Sequence, residues 1–266
     1  LAMTTVPPIR PIWERFDTSR TIGRHVLGYG QVSSTMDVAW ELAESGAAHG
    51  TAVLAETQSQ GRGRFGRRWT SEPGDSLLVS LLLRHPDSDI GPLLPVQTTL
   101  AVHGAIRELC GLECSIKWPN DLHVDGRKLC GILVEVRTDT AGRRVAVIGV
   151  GLNLNLDPAS HEELRETATS IRHETGASFT DVQAAEAVFA GLAGELSDPP
   201  PAADTLQRWK QHLDTLGKRV TVYQREGPVT GMAEDVGPTG NLLLRSDDGV
   251  LRELAEGDVS LSGPLA

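Results

Sequence analysis

Apolar and polar positions along this chain change period several times, and each change marks an element. Residues 1–30 are rich in Pro, Arg and Gly with little periodicity, which predicts an irregular arm. Ser34-Thr35-Met36-Asp37 then has the form of a helix-capping box. Val38, Ala39, Leu42 and Ala43 follow at helical spacing and Gly46 stops the run, so a helix is expected over 35–45. Thr51 to Glu56 and Leu77 to Arg84 read as strands flanking a Gly/Arg segment. Val96 to Cys110 has helical period and ends at Gly111.

From Ser115 the pattern turns to short strands joined by tight turns. Asp125-Gly126 is a hairpin signal between Leu122-His123-Val124 and Lys128 to Val136, and Ala141-Gly142 is a second. Val145 to Leu156 is the most regular strand. Ile148, Val150, Leu152, Leu154 and Leu156 fall on one face, with Gly149, Gly151, Asn153 and Asn155 on the other. Glycines at alternate strand positions mark close approach, either by a ligand or by plain packing. Helices are expected at 161–168, 181–196 and 204–215, with the Pro-rich Asp198 to Pro201 between the last two. After Gly217 the strands Arg219 to Gln224, Thr230 to Val236, Asn241 to Arg245, Val250 to Leu254 and Val259 to Leu261 suggest a small barrel. The expected organisation is an arm over 1–30, an α/β (α+β) unit over 31–216 and a small β unit over 217–266.

Composition narrows the function classes. The 266 residues carry a formal net charge of −10, which argues against nucleic acid as a main partner, because duplex binding needs many Lys and Arg phosphate contacts along one face. The three cysteines, Cys110, Cys114 and Cys130, have no metal-ligand spacing and cannot all pair, which fits a reducing, cytoplasmic compartment. Leu1 to Arg10 does not have the form of a signal peptide. The longest apolar run, Leu77 to Leu83, is interrupted by Ser80 and is far short of the ~20 residues of a membrane span.

Against that acidic background, Gly61-Arg62-Gly63-Arg64-Phe65-Gly66-Arg67-Arg68 interleaves four arginines with three glycines. Gly61, Gly63 and Gly66 satisfy GxGxxG, but no helix opens after them and the intervening residues are arginines, so a dinucleotide fingerprint is not supported. Arginine forks match phosphate and carboxylate oxygens and glycines let backbone amides approach them, so a loop closing over an anion fits better than a solvated charge run. Lys117-Trp118-Pro119-Asn120-Asp121 reads either as a turn or as part of a site. Lys128 stands immediately before Leu129-Cys130-Gly131-Ile132-Leu133-Val134-Glu135, at the mouth of a buried strand. A Walker A sequence is absent, His161-Glu162 lacks the second His of a zinc-protease helix, and no nucleophile constellation is present.

In order and spacing, Ser34-Thr35, Gln58, Gly61 to Arg67, Lys117 to Asp121, Arg127 to Glu135 and Gly149-Val150-Gly151-Leu152-Asn153 resemble the biotin protein ligases. The resemblance implies a class II synthetase-like biotinyl/lipoyl ligase catalytic domain with a mixed sheet, followed by a C-terminal SH3-like β-barrel. It implies two half-reactions: biotin and ATP give biotinyl-5′-AMP and pyrophosphate, and the adenylate then acylates a lysine of a biotin carboxyl carrier domain. By the same resemblance Ser34, Thr35 and Gln58 hydrogen-bond the biotin ureido group, with Met36, Gly61, Arg62, Gly63, Arg64, Lys128 and Gly131 completing the biotin site. Arg64, Arg67, Trp69, Lys117, Asn120, Lys128, Gly149, Gly151 and Asn153 are expected around ATP and the adenylate, with Asn120 and Asn153 contacting the phosphates or Mg²⁺, which comes with ATP rather than from a metal site of the protein's own. Lys128 and Arg64 are the expected catalytic cations, and Asp121 the acceptor or orienting group for the incoming lysine, whose reference pKa of about 10.4 requires it to lose a proton.

Two departures qualify the resemblance. Met36 stands where the family often has Asn. Only 32 residues precede Ser33, including Pro7, Pro8 and Pro11, so a ligase-only type without a DNA-binding winged helix is expected. The competing readings are a lipoate or octanoate ligase of the same fold and a non-catalytic sensor of biotin or a nucleotide.

Overall fold

The computed structural model describes residues 10–84, 91–139 and 142–260. Strands β1 (Trp13–Phe16) and β2 (His25–Val32) lead into helix α1 (Thr35–Glu44), followed by β3 (Thr51–Gln58) and β4 (Ser76–Arg84). Helix α2 (Leu94–Cys110) connects to β5 (Ser115–Lys117), β6 (Asp121–Val124), β7 (Arg127–Thr138) and β8 (Arg144–Asn153). These eight strands form one mixed sheet in the order β1-β2-β3-β4-β8-β7-β6-β5. Only β2 and β3 run parallel, with α1 as their crossover; the other pairs are antiparallel.

Period-two alternation gives the sheet two buried faces. Ala52 and Leu54 of β3 join the larger core, under α2 and α4 (Asp181–Ser197), whereas Val53 and Ala55 join a smaller core under α1 with Met36, Val38 and Trp40. The short α3 (Ile171–Thr175) precedes α4, and α5 (Ala202–His212) follows it. Strands β9 (Arg219–Gln224), β10 (Gly227–Val236), β11 (Leu242–Ser246), β12 (Leu251–Leu254) and β13 (Asp258–Ser260) then form a second antiparallel sheet in the order β12-β11-β10-β9-β13. Its buried face, with Val222, Ala233, Leu242 and Leu244, is continuous with the larger core. Trp118 joins the two sheets, its indole N–H donating to the Gly240 carbonyl at 2.9 Å.

Three sequence expectations change. Residues 13–16 and 25–32 are strands of the main sheet rather than an irregular arm, so that unit begins before residue 31. Gly28 and Gly30 hide the strand pattern of β2, yet Gly28 is required: a Cβ there would stand 2.0 Å from the Trp13 ring. Residues 161–168 form successive turns instead of a helix. This segment lies along β7, where Lys128 N donates to Thr167 O at 2.8 Å and Thr169 N donates to Lys128 O at 2.9 Å. Strand β8 ends at Asn153 rather than continuing to Leu156, because Leu154 N and Asn155 N both turn to the Asp75 carbonyl, at 2.8 and 2.9 Å. Of the expected turn and strand ends, Ala141 and Leu261 lie outside the described residues.

Candidate active site

Glycine opens one region of the sheet. On β8 the side chains of Val145 and Val147 fill the face under α1, and the next positions on that face are Gly149 and Gly151. With Gly131 of β7 opposite Gly151, the sheet is bare there and a cavity of about 540 Å³ stands over it.

One end of the cavity is polar and tightly ordered. Ser34 caps α1, its Oγ accepting from Met36 N at 3.3 Å. Gln58, at the end of β3, accepts from Thr35 N at 2.7 Å and from Thr35 Oγ1 at 3.2 Å, which leaves its amide nitrogen as the donor. Thr35 Oγ1 also pairs with Ser80 Oγ at 2.8 Å, and Ser34, Thr35 and Ser80 are buried. Asp37 does not close the expected capping box; it takes a hydrogen bond from Ser33 Oγ at 3.4 Å.

The Gly/Arg loop lies across this cavity as a compact turn. Gly63 N donates to Arg67 O at 2.8 Å and Trp69 N to Gly61 O at 3.1 Å, and Phe65 and Gly66 adopt left-handed backbone at φ of 55° and 73°. Gly61 is needed for close packing, since a Cβ there would be 2.2 Å from the Trp69 carbonyl. The arginines spread in different directions. Arg62 meets Glu135 and Asp37, with Nη1 3.1 Å from Glu135 Oε1 and Nε 3.4 Å from Asp37 Oδ1. Arg64 donates to Asn120 Oδ1 and to the Gly257 carbonyl, both at 3.2 Å. Burial pushes the Arg64 guanidinium below its ordinary pKa, opposed by Asp121, Glu256 and Asp258. Arg67 pairs with Asp258 at 2.8 Å.

A bulge aims the lysine. In the β6–β7 ladder Leu122 faces Cys130 but His123 faces Lys128, so β7 carries one extra residue, Leu129. Leu129 and Cys130 both turn into the core, and Lys128 emerges on the same face as Gly131. Its Nζ would lie 3.1 Å from a Cβ at Gly131. The ammonium pairs with Asp121 Oδ2 at 2.7 Å and stands 5.6 Å from the centre of the Trp69 ring. Lys117, opposite Asp121 in the β5–β6 ladder, lines the same wall, and the positive charge beside His123 adds to burial in lowering that imidazole's pKa.

Seventeen of the eighteen residues singled out in the sequence line this cavity; Gly61 lies on the adjoining groove behind the loop. Some contacts differ from expectation. The bare glycines are covered by the protein itself: a Cβ at Gly151 or Gly131 would strike the Trp69 ring, and one at Gly149 would strike Met36. Asn153 donates to Thr169 O at 2.9 Å and accepts from Ser76 Oγ at 3.2 Å, and the Asn120 side chain is held between Ile132 O and Arg64. These amides do not form a cage for Mg²⁺, and among the described residues no group of three or more His, Cys, Asp or Glu side chains is placed to hold a metal. Ser80, Glu135, Gly257 and Asp258 were not expected at the site. Ser80 left one signal, as the polar break in the apolar run of β4; the others are brought in by tertiary packing.

Fold and cavity together define an α/β protein whose sheet face holds a cationic, polar-ended site for a small anionic molecule. Residues 27–155 match the biotin/lipoate A/B protein ligase family, and residues 215–262 match the biotin protein ligase C-terminal domain. The bifunctional ligase/repressor BirA of Bacillus subtilis is 30% identical over 248 residues, covering 91% of this chain and 76% of that protein. The biotin–[acetyl-CoA-carboxylase] ligase of Mycobacterium tuberculosis is 30% identical, covering 80% and 79%. Among solved structures, the Aquifex aeolicus biotin protein ligase in complex with biotin and ATP superposes with a TM-score of 0.71 at 27% identity, covering 88% of this chain and 97% of that one. The chain belongs to the biotin protein ligase branch of the biotin/lipoate A/B protein ligase family.

Proposed function

We propose that this protein activates biotin with ATP and transfers it to a lysine of a biotin carboxyl carrier domain. The observation that carries the reading is the joining, in one cavity, of the Thr35–Gln58 pocket, braced from behind by Ser80, and the cations Lys128 and Arg64. A ureido ring needs fixed donors and acceptors, which the polar end supplies through Ser34, Thr35 and the free amide nitrogen of Gln58. Attack of the biotin carboxylate on the α-phosphorus forms the acyl–phosphate bond and breaks the bond to pyrophosphate. Charge accumulates there on oxygens, and Lys128 and Arg64 are placed to meet it.

In the second half-reaction the carrier lysine, as free amine, attacks the acyl carbon and AMP leaves. The 2.7 Å pair supports Asp121 as the group that orients Lys128 in the first step, rather than as the base of the second. Trp69, lying over Gly131 and Gly151, is the cover for the adenylate in this reading, and Arg67 and Lys117 flank the phosphates. Mg²⁺ enters as part of the nucleotide substrate, and no step is assigned to a protein-held ion. No helix among the described residues is long and apolar enough to cross a membrane, and the ATP requirement suits the cytoplasm.

The test is incubation with ATP, Mg²⁺ and a carrier domain, with biotin or lipoate supplied in turn, read by intact mass. Biotin-dependent modification of the carrier is expected. Modification with lipoate alone would assign the neighbouring activity, and binding without modification would make the protein a sensor.

A further inference from the structure

Of the loop arginines, Arg62 has its charge met by protein carboxylates on two sides. Its guanidinium faces Glu135 edge-on, with Nη1 3.1 Å from Oε1 and Nη2 donating to Oε2 at 3.4 Å. Asp37 of α1 closes the other side at 3.4 Å. Glu135 is itself held from behind: the Trp40 indole N–H donates to Oε2 at 2.8 Å, and Arg137 Nη2 stands 3.2 Å from the same oxygen. Arg137 in turn lies over the Trp40 ring, 4.0 Å from its centre. Two cations and two carboxylates balance, so Arg62 needs no ligand anion to settle here, unlike a charge aimed at substrate.

Placement makes this an anchor. Gly131, Leu133 and Glu135 alternate along the cavity face of β7, so the strand that passes beneath Trp69 also carries the loop's counter-charge. Helix α1, which contributes Trp40 and Asp37, begins at the polar pocket. Arg62 therefore ties one limb of the Gly61–Arg68 loop to both elements that build the site.

We propose that Glu135 is a positioning residue: it holds the loop down over the cavity through Arg62, and so sets how long the acyl-adenylate is retained. The assay rests on the ligase reading, whereas the geometry stands without it. Both side chains are partly exposed, and loss of a charge-assisted pair in such a setting changes an equilibrium by about threefold to tenfold.

The experiment loads the full chain with biotin and ATP, removes free ligand, and follows release of biotinyl-5′-AMP by chromatography. Glu135→Gln is expected to release it about threefold to tenfold faster than the wild type. Trp40→Phe, which keeps an aromatic side chain but removes the indole N–H that fixes Oε2 together with part of the bicyclic ring, is expected to shift release in the same direction by less. If Glu135 acts through Arg62, the Glu135→Gln change adds nothing to Arg62→Ala. Wild-type release from both Glu135→Gln and Trp40→Phe, or multiplied effects in the double variant, would overturn the proposal. Biotin-dependent ATP–pyrophosphate exchange by the wild type is measured first. Its absence removes the ligase reading, whereas normal exchange with unchanged release removes the role of Glu135 alone.

Discussion

The Lys128 ammonium and the Asp121 carboxylate lie 2.7 Å apart across the β6–β7 hairpin, and only the extra residue in β7 turns Lys128 towards that partner and the cavity. In a regular ladder Lys128 would share the face of Cys130, which is fully buried, and its charge would have to enter the core. The bulge is thus what makes a lysine at this position useful.

Lys128→Ala is expected to remove adenylation, lowering biotin-dependent pyrophosphate exchange by about 10²–10³-fold, the range for loss of one electrostatic group at a transition state. Urea unfolding should move little, because the ion pair is partly exposed. Exchange at the wild-type rate in a folded Lys128→Ala variant would refute the assignment.

The order of strands and helices was legible in the chain from β3 to β8 because β8 alternates, β4 is a short continuous apolar run, α2 has helical period and the β6–β7 turn has its own chemistry. Asp125 and Gly126 both take positive φ, as their hairpin requires. What was not legible depends on partners distant in sequence. Gly28 weakens the strand pattern of β2, and its reason is a tryptophan on the neighbouring strand. The carboxylates that receive Arg62 and Arg67 come from β7 and β13, at positions that in isolation look like ordinary surface charges. The site was more readable than its supports: glycines, arginines and Lys128 are conspicuous in any acidic chain, whereas Ser80 and Glu135 acquire meaning only when β4 and β7 are laid beside α1.

Gly149 and Gly151 occupy equivalent places on β8 but meet different neighbours, and substitution separates them. A Cβ at Gly151 would lie 2.7–2.9 Å from three atoms of the rigid Trp69 ring; one at Gly149 would meet the Met36 thioether, the adaptable part of a flexible side chain. Gly151→Ala is expected to cost about 1–3 kcal/mol as overpacking and to displace the indole, whereas Gly149→Ala should cost less. Urea midpoints and tryptophan fluorescence of the two variants check this. Equal losses, or unchanged fluorescence in Gly151→Ala, would contradict the packing described.

Away from the cavity, His103 of α2 gives the fold a defined acid limit. The side chain is buried, Nε2 lies 2.9 Å from the Cys114 carbonyl, and the ring stacks on His212 with centroids 4.2 Å apart. Burial chiefly, and then His212, lower its pKa below the ordinary 6.5; the Cys114 carbonyl pulls upward, and Arg107 (lowering) and Glu113 (raising) weigh less. The unfolded chain therefore binds a proton below about pH 6.5 that the folded chain refuses, so stability is intact above that pH and falls as pH drops towards the depressed folded value. His123, also lowered by burial, adds a contribution of the same sign. Replacing His103 by Gln, which keeps an N–H for the Cys114 carbonyl, should flatten the loss between pH 6.5 and 5 by up to about 1.4 kcal/mol per pH unit, one proton's worth. Denaturant midpoints at pH 7.5 and 5.5 give the slope, and the same slope in wild type and His103→Gln would show that this imidazole titrates alike in the folded and unfolded chains.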